Sequence, residues 1–432
     1  MSSIYRPWPV DEPQFLPASV HDYVPPDHAA HFVRDLVRET LDLSAIHAAH
    51  SGVHGQPPFD PRMMVALLIY CYSQGVYSSR RIARACEERL DVMAITAGET
   101  PNFRTINLFR LRHLAALAAL FRQVLELCRK AGLVSLGHVA LDGTKVRANA
   151  SKRKAMSYGR MKEKEPELAA VVDGWLAAAQ AADAAEEAAT PGRRGDEMPK
   201  WVADKTARLE KIREAKAALE AEAASAAKAK GRDDDDPPPR PDDKTQRNFT
   251  DPESRIMRAG GGFEQVYNAQ AAVDADHQIV VACEVGASGV DVARLVPMLE
   301  AMAASGVVPR QLSADAGYCS EANLAALEER GVDGYVAAGR QRHGTAAPGE
   351  GGTSKRPLTE AMRKKLRDGG FEGPCRKRKI AVEPVFGQIK EARGFRRFLM
   401  RGLAKVQLEW SFLCAVHNVL KPQRARPAFA SA

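Results

Sequence analysis

Three acidic residues stand where a carboxylate could take part in chemistry: Asp142, Asp315 and Glu383. The stretch around Asp142 alternates apolar and polar residues as a strand does, and Asp142 lies late in it, just before a glycine. Asp315 ends a second short strand, and Gly317 follows closely. Because active sites of α/β sheets collect where strands end, we expect these carboxylates to converge.

Glu383 lies in the most basic part of the chain. From Arg376 to Lys405 there are ten Lys or Arg residues and two Glu, a net charge of +8 that equals the formal net charge of all 432 residues. The excess positive charge is therefore local, as on a surface that binds a polyanion. Taken alone, Glu383 is more simply a salt-bridging surface residue than a metal ligand. The proline at 384 predicts a helix that opens at Glu383, which would leave this side chain free to point toward a neighbour.

Three carboxylates from three elements would form the oxygen-rich site that Mg²⁺ or Mn²⁺ prefers. Two such ions about 4 Å apart activate the attacking oxygen and stabilise the leaving oxygen in phosphoryl transfer. Basic groups alone could bind DNA, whereas carboxylates among them make sense if a metal reverses the local charge. The pattern therefore indicates metal-dependent chemistry on a phosphodiester.

Length and composition limit the class of protein. A chain of 432 residues with 45% hydrophobic residues can bury a large core and predicts more than one domain. No apolar run approaches the roughly 18 residues that span a bilayer, and residues 1–20 lack the features of a signal peptide, so we expect a cytoplasmic protein. The seven cysteines form no CxxC pair, which argues against a zinc site and a disulfide framework.

The first 134 residues predict an all-α domain that begins with an extended arm over 1–27. Helices are predicted over 28–46, 62–74, 80–89 and 105–131, and apolar residues recur at helical spacing in the first and the last of them. Asp60 before Pro61 predicts the start of the second helix, as an N-cap followed by proline at the first helical position. The second and third helices, joined at Gly75, have the outline of a helix-turn-helix, although a plain helical hairpin is slightly favoured.

From residue 135 onward, strands alternate with helices, which predicts an α/β sheet with helices packed on it. Strands are predicted over 138–147, 263–273, 278–285, 311–315 and 334–338. Helices are predicted over 291–305, 320–330, 358–368 and 403–421. Residues 161–245, rich in Ala, Glu and Lys, predict an antiparallel helical hairpin that ends in a disordered linker at the four aspartates 233–236.

Several other polar or flexible positions are interpreted as structural. Asp274, Asp276 and Asp291 are assigned to turns and helix N-caps, and Gly260–Gly262 to a flexible joint. The histidines at 138 and 417 are assigned to the core or the surface, since no other His or Cys lies at ligand spacing.

Three segments resemble the signatures of DDE transposases of bacterial insertion sequences. They are Leu141-Asp142-Gly-Thr-Lys145, Ala314-Asp315-Ala-Gly-Tyr318 and Val382-Glu383-Pro-Val-Phe-Gly-Gln-Ile-Lys390. The similarity extends through Asn149-Ala-Ser-Lys152, Asn248-Phe-Thr-Asp-Pro-Glu-Ser-Arg255, Tyr267-Asn-Ala-Gln-Ala271 and Gly394-Phe-Arg-Arg-Phe398, and spans the chain from about 15 to 421. The chain departs from the family before the glutamate, where Cys375 or Arg376 takes an aromatic slot and Lys379 an arginine slot.

The resemblance implies a ribonuclease-H-like catalytic fold that uses two Mg²⁺ or Mn²⁺ ions. It implies cleavage of DNA at insertion-sequence ends and joining of those ends to target DNA, with Asp142, Asp315 and Glu383 as the catalytic and metal-binding triad. Double-stranded DNA would be the partner, bound by a homodimer, and no membrane would be involved. The candidate DNA-binding residues are Lys145, Arg147, Lys379, Lys390, Arg393, Arg396 and Arg397.

The resemblance also implies a division of the chain into domains. The fold class is α/β, with an all-α DNA-binding and assembly domain over 1–134 and a catalytic domain over 135–160 and 246–421. The hairpin and linker over 161–245 are inserted, and 422–432 form a tail. Two alternative functions remain open: a DNA-binding protein without catalysis, either a decayed transposase or a regulator, and a metal-dependent nuclease without strand transfer.

Overall fold

The centre of the structure is a six-stranded mixed sheet with strand order β4-β5-β1-β7-β8, in which β6 also pairs with β5. The computed structural model describes residues 19–49, 58–189, 200–228, 239–339 and 356–429. The strands are β1 (His138–Arg147), β2 (Ala155–Ser157), β3 (Gln246–Asn248), β4 (Arg255–Ala259), β5 (Gly262–Asp274), β6 (Val280–Gly286), β7 (Gln311–Ala314) and β8 (Asp333–Val336). Strands β1, β7 and β8 run parallel, β5 is antiparallel to its neighbours, and β2 and β3 form a separate pair. The mixed α/β class agrees with the sequence prediction.

Helices cover the sheet and form the N-terminal region. The helices are α1 (Ala29–Glu39), α2 (Ser44–Ala48), α3 (Pro61–Ser73), α4 (Ser79–Glu88), α5 (Leu90–Thr96), α6 (Phe103–Arg112), α7 (Leu114–Lys130), α8 (Tyr158–Ala189), α9 (Lys200–Lys228), α10 (Leu295–Ala304), α11 (Glu321–Glu329), α12 (Pro357–Lys365), α13 (Arg376–Gly387) and α14 (Leu403–Phe429). Two π-helical segments, Leu366–Cys375 and Gln388–Ala392, flank α13.

The predicted N-terminal helices are present, with corrections to their boundaries. The Asp60 side chain accepts a hydrogen bond from the Arg62 backbone N–H, so the predicted N-cap of α3 is confirmed. The helix predicted over 105–131 is wrong as a single element, because it ends at Arg112 and α7 begins at Leu114. The Asn102 side chain caps the first of these two helices. The sequence prediction also missed α5.

The inserted segment forms an antiparallel pair of helices, α8 and α9, as predicted. Tyr158 at the start of α8 donates a hydrogen bond of 2.7 Å to Glu220 late in α9, and Glu165 further along pairs with Lys216 at 2.7 Å. Apolar residues between the helices form a small core of their own. The predicted breaker at 190–195 and the four aspartates lie outside the described residues.

The N-terminal helices and the sheet share one hydrophobic core. Helix α7 packs along α14, and the Tyr77 ring meets the Phe395 ring edge-on with centroids 5.1 Å apart. At the turn after α3, Gly75 has φ +74°, and a Cβ there would lie 2.5 Å from the Arg393 carbonyl oxygen. Only a glycine allows this approach, so Gly75 fixes the N-terminal helices against the segment that follows α13.

The loop between α13 and α14 is anchored to β1 and to a buried carboxyl group. The backbone of Arg147 pairs with the Arg396–Phe398 segment, which continues the edge of β1. Glu409 on α14 accepts backbone hydrogen bonds of 3.0–3.1 Å from Leu399 and Met400. Burial raises the pKa of Glu409 to about 7, although these backbone donors oppose the rise.

The glycines, histidines and aspartate that were assigned structural roles lie in turns or in the core. The proposed joint at Gly260–Gly262 is instead the tight turn of the β4–β5 hairpin, with positive φ at Gly260 and Gly261. His138 and His417 are buried. Asp274 is a turn residue, as predicted, because it accepts hydrogen bonds from the Asp276 and His277 backbone.

Six cysteines of the described residues are free. No helix in the same parts of the chain is long and apolar enough to cross a bilayer.

Candidate active site

Asp142 and Asp315 are brought together by the pairing of two parallel strands. Val139 of β1 lies opposite Leu312 of β7, and Ala140 lies opposite Ser313. The same register, continued by two residues, places Asp142 beside Asp315. Asp142 lies within β1, which has the predicted bounds and continues past Asp142 to Arg147 by pairing with β5. Parallel pairing with β7 stops just before Asp142, so both aspartates still lie at one edge.

The Asp142 carboxylate is held by one cation and one backbone donor. The Arg378 guanidinium on α13 donates to Oδ2, and the Gly143 N–H donates to Oδ1 at 2.8 Å. Burial raises the pKa of Asp142 to about 6, Asp315 adds to the rise, and Arg378 opposes it. The site therefore disfavours a negative charge on Asp142 unless a cation lies beside it.

Asp315 follows β7 directly and caps the turn that begins after it. Its Oδ1 accepts a hydrogen bond of 2.8 Å from the Gly317 N–H. A Cβ at Gly317 would lie 3.0 Å from the same oxygen. This close approach explains why a glycine suits the position two residues after the aspartate.

Glu383 lies within α13 and does not open a helix, which corrects the sequence expectation. The helix begins at Arg376 and carries Pro384 in its interior. Val382 and Val385 are buried against the sheet, whereas the Glu383 side chain is exposed. Within the described ranges, no group of three or more His, Cys, Asp or Glu side chains is arranged to hold a metal ion. Of the predicted triad, Asp142 and Asp315 therefore interact with each other. Glu383, the third member, lies on α13, which packs against β1.

Two lysines lie at the same edge as the aspartates, on opposite faces of the sheet. Lys390, in the π-helical turn after α13, donates hydrogen bonds to Thr144 Oγ1 at 2.9 Å and to the Lys145 carbonyl at 3.2 Å. The Lys145 ammonium lies 3.7 Å from Asp291 Oδ1. Burial lowers the pKa of each lysine. Each lysine thus places one cation at this edge, on its own face of the sheet.

The remaining predicted DNA-binding residues differ in exposure. Arg147, Lys379, Arg396 and Arg397 are exposed, and Arg396 forms an ion pair with Glu391. The Arg393 guanidinium turns inward, where it donates to the Gln388 carbonyl at 3.0 Å and contacts His417 Nδ1 at 3.0 Å. Burial lowers the pKa of Arg393. Its environment is that of a structural residue.

Sequence reasoning missed several residues around the aspartates. It assigned Asp291 to an N-cap, but this side chain makes no capping hydrogen bond and instead accepts hydrogen bonds from Asn268 and Gln270 of β5. Arg378 was counted only as part of the basic stretch. One available signal was the pair of polar side chains, Asn268 and Gln270, at alternate positions of the buried part of β5.

Two parts of the chain match known protein families. The family described as "Transposase domain (DUF772)" matches residues 18–112, and the family described as "Transposase DDE domain" matches residues 239–419. The chain belongs to the DDE transposases of insertion sequences. The DDE-domain match contains Asp315 and Glu383, whereas Asp142 lies between the two matched ranges. No curated protein and no solved structure matches the chain.

Proposed function

We propose that this DDE transposase is an active enzyme that cleaves DNA at insertion-sequence ends and transfers those ends to target DNA. The observation that carries the proposal is the placement of Asp142 beside Asp315 on neighbouring parallel strands, at an edge with Lys145 and Lys390. A pair of carboxylates among cations suits a metal site that acts on a phosphodiester. We also propose that the mixed sheet is ribonuclease-H-like.

The donor set around Asp142 fits a divalent cation. Its carboxylate is largely buried, its pKa is raised to about 6, and Arg378 already supplies a positive charge to one oxygen. Asp315 offers a second carboxylate of the hard oxygen type that Mg²⁺ or Mn²⁺ prefers. When bound, such ions would activate the attacking oxygen and stabilise the leaving one. Asp142 and Asp315 would hold the metal, and Glu383 would join them when its side chain turns toward the sheet.

The basic residues have two separate tasks in this proposal. Lys145 and Lys390, half-buried at the edge of the sheet, would hold the phosphate that reacts. The exposed residues would bind the flanking DNA backbone and give the affinity its salt dependence. These exposed residues are Arg147, Lys379, Arg396 and Arg397. Arg393 is left out of this group because its guanidinium is engaged inside the protein.

The division of labour along the chain is also part of the proposal. Residues 1–134 would bind the insertion-sequence end and support assembly, and residues 135–160 with 246–421 would carry the chemistry. The inserted hairpin within 161–245 would project from the catalytic part. A homodimer would bring two ends to one target. The matches to two transposase families, one N-terminal and one C-terminal, support this arrangement.

A second candidate function is DNA binding without catalysis. It is favoured by the Arg378 guanidinium on Asp142 and by the exposed side chain of Glu383. In that case the basic surface would retain its task, while the carboxylates would serve only to neutralise Arg378. Strand cleavage distinguishes the two functions, and strand transfer distinguishes a transposase from a nuclease.

The test is incubation of the purified full-length chain with a labelled duplex that carries the end of its insertion sequence, with Mg²⁺ or Mn²⁺. A target plasmid is included so that strand transfer is scored in the same reaction. The control is Asp142→Asn, which keeps the shape of the side chain and removes its charge. We expect nicks at the element boundary and joined products for the parent, and neither for the variant. Binding without nicks by both proteins would overturn the enzyme proposal.

A further inference from the structure

A polar network lies on the face of the sheet opposite α13. Because opposed residues of antiparallel strands share a face, Gln270 lies beside Gly143 and Asn268 lies beside Lys145. Asn268 and Gln270 are fully buried, yet each carries an amide that needs hydrogen-bonding partners. Tyr318, just beyond Asp315, donates to the Gln270 side-chain oxygen. The network therefore joins the strand of Asp142 to the turn after Asp315.

Asp291 is the anion at the centre of this network. Its Oδ1 accepts hydrogen bonds of 2.6 Å from Asn268 Nδ2 and 3.0 Å from Gln270 Nε2. Only 22% of its side chain is exposed. A largely buried carboxylate persists only if its surroundings compensate its charge, and the cation that faces this oxygen is Lys145, at 3.7 Å.

Gly143, directly after Asp142, and Gly317, two residues after Asp315, leave room for the network. A Cβ at Gly143 would lie 2.3 Å from Gln270 Nε2. A Cβ at Gly317 would lie 3.3 Å from Asp291 Oδ2. A side chain at either position would collide with the network. Asp291 and its partners therefore pack against the backbone of Gly143, beside Asp142, and of Gly317, near Asp315.

Lys145 is held from two sides. Besides the Asp291 contact, its ammonium donates a hydrogen bond of 3.4 Å to the Gly289 carbonyl. Burial lowers the pKa of Lys145, while the charges of Asp291, Asp142 and Asp315 oppose that change. The ammonium therefore lies within the electrostatic reach of the aspartate pair.

We propose that Asp291 is a positioning residue that holds the Lys145 ammonium on the Asp315 side of the site, on the face of the sheet opposite the Asp142 carboxylate, so that Lys145 meets the phosphate in the reaction. This inference rests on the proposed function, since it gives Lys145 a task in that reaction. Asp291 itself touches neither the DNA nor the reacting atoms. Its loss lets the lysine side chain sample other directions, and small misplacements of this kind reduce catalysis strongly.

The experiment compares the parent with Asp291→Asn, Lys145→Gln and the double variant. The matched control is Glu284→Gln. Glu284 forms an ion pair of 3.0 Å with Arg294, and the two side chains are 24% and 22% exposed. Glu284 lies on the same face of the sheet as the network, on β6, the strand beyond β5. Cleavage of the end duplex gives kcat and KM. A second readout needs no activity: NMR of the ¹³C-methylated lysines in the free protein, with the Lys145 signal assigned by its absence in Lys145→Gln.

We expect Asp291→Asn to lower kcat by about 10–100-fold while the Kd for end DNA changes less than about 2-fold. In the Lys145→Gln background, Asp291→Asn should not lower kcat further, because the effects of two residues are not additive when one acts through the other. The Lys145 signal should shift in Asp291→Asn and stay in place in Glu284→Gln. If Asp291→Asn does not fold, Asp291→Ser takes its place.

Two results separate this inference from the proposed function. If the parent does not cleave, the proposed function fails, and the NMR experiment still decides whether Asp291 holds Lys145. If the parent cleaves and Asp291→Asn lowers kcat equally with and without Lys145, the positioning role is wrong. An unshifted Lys145 signal in Asp291→Asn would overturn it as well.

Discussion

At the scale of single residues, the charge of Asp142 depends on a balance between burial and one neighbour. Burial and the nearby Asp315 favour the protonated carboxyl, whereas Arg378 favours the carboxylate, and the resulting pKa is about 6. Near neutral pH the ionised form therefore depends on a cation at its side. Arg378 is the cation that contacts this carboxylate.

Arg378→Gln tests this balance. Removing the guanidinium takes away the main influence that lowers the pKa of Asp142, so we expect that pKa to move above 6 by about 1 or more pH units. The measurement is a pH titration of the aspartate carboxyl signals by ¹³C NMR, with Asp142→Asn to assign the signal. Lys379→Gln is the control, since it removes one positive charge from the neighbouring, exposed position. Equal titration curves for both variants would contradict a specific role for Arg378.

The sequence could identify Asp142 and Asp315 as neighbours because both follow short apolar runs that are recognisable as strands from local patterns. It could not identify Arg378 or Asp291. Arg378 is one of four consecutive basic residues, and only the face that α13 turns to the sheet decides which of them meets Asp142. Asp291 precedes a helical turn and looked like a cap, while its partners lie on a strand about twenty residues earlier.

At the scale of elements, the sequence located most strands and helices but misjudged where some of them end. The strand predicted over 138–147 has those bounds in β1, whereas the helix predicted over 105–131 is divided at His113. Pro384 was expected at a helix start, yet α13 runs through it, flanked by π-helical turns. The apolar residues of α13, packed against β1, outweigh the hydrogen bond that proline removes.

Helix α14 carries a buried acid whose effect on stability should depend on pH. The pKa of Glu409 is about 7 in the folded protein and about 4.5 in the reference state, so protonation favours folding. Its contribution is complete below about pH 4.5 and is lost as the pH rises through 7. Glu409→Gln keeps an acceptor for the Leu399 and Met400 N–H groups and cannot ionise.

We therefore expect the free energy of unfolding of Glu409→Gln, relative to the parent, to rise between pH 5 and pH 8 by on the order of 1–3 kcal/mol. Urea denaturation at the two pH values measures this difference. Glu126→Gln, at an exposed i,i+3 ion pair with Arg129, serves as the control and should show little change. A pH-independent difference for Glu409→Gln would mean that Glu409 titrates normally.

At the scale of the whole molecule, the N-terminal helices are joined to the six-stranded sheet by one core. The sequence predicts an all-α domain over 1–134 but not its contacts with the sheet, because patterns along a chain do not report contacts across it. In the structure, α7 packs along α14, and Gly75 contacts the Arg393 carbonyl. The N-terminal helices are thus fixed relative to the loop that follows α13.

Gly75→Ala tests the fit between these parts, and Gly98→Ala is its matched control. Both glycines have positive φ, at +74° and +82°, but a Cβ at Gly75 would clash with Arg393 whereas one at Gly98 would meet nothing within 4 Å. We expect Gly98→Ala to cost about 1 kcal/mol of stability from backbone strain, and Gly75→Ala to cost clearly more. Urea denaturation measures both. Equal losses of stability in the two variants would show that the segment around Arg393 moves to accept a Cβ at Gly75 without strain.

The positive charge of the molecule is concentrated from Arg376 to Lys405, and this location predicts how DNA binding responds to salt. The double variant Arg396→Ala with Arg397→Ala removes two exposed arginines from this stretch. If each contacts one phosphate, the slope of log Kd against log salt falls by roughly 2, and the affinity falls on all DNA sequences alike. Filter binding at several salt concentrations measures the slope on end DNA and on unrelated DNA.

The control for this last prediction is Arg129→Ala with Lys130→Ala, which removes the same charge from the exposed end of α7. Arg129 pairs with Glu126 much as Arg396 pairs with Glu391, so the two double variants disturb similar ion pairs. If the local stretch is the DNA-binding surface, the slope changes only for the first double variant, because the net charge of the two proteins is identical. If both slopes change equally, the chain binds DNA through its overall charge, and the basic stretch near Glu383 is not the surface that holds it.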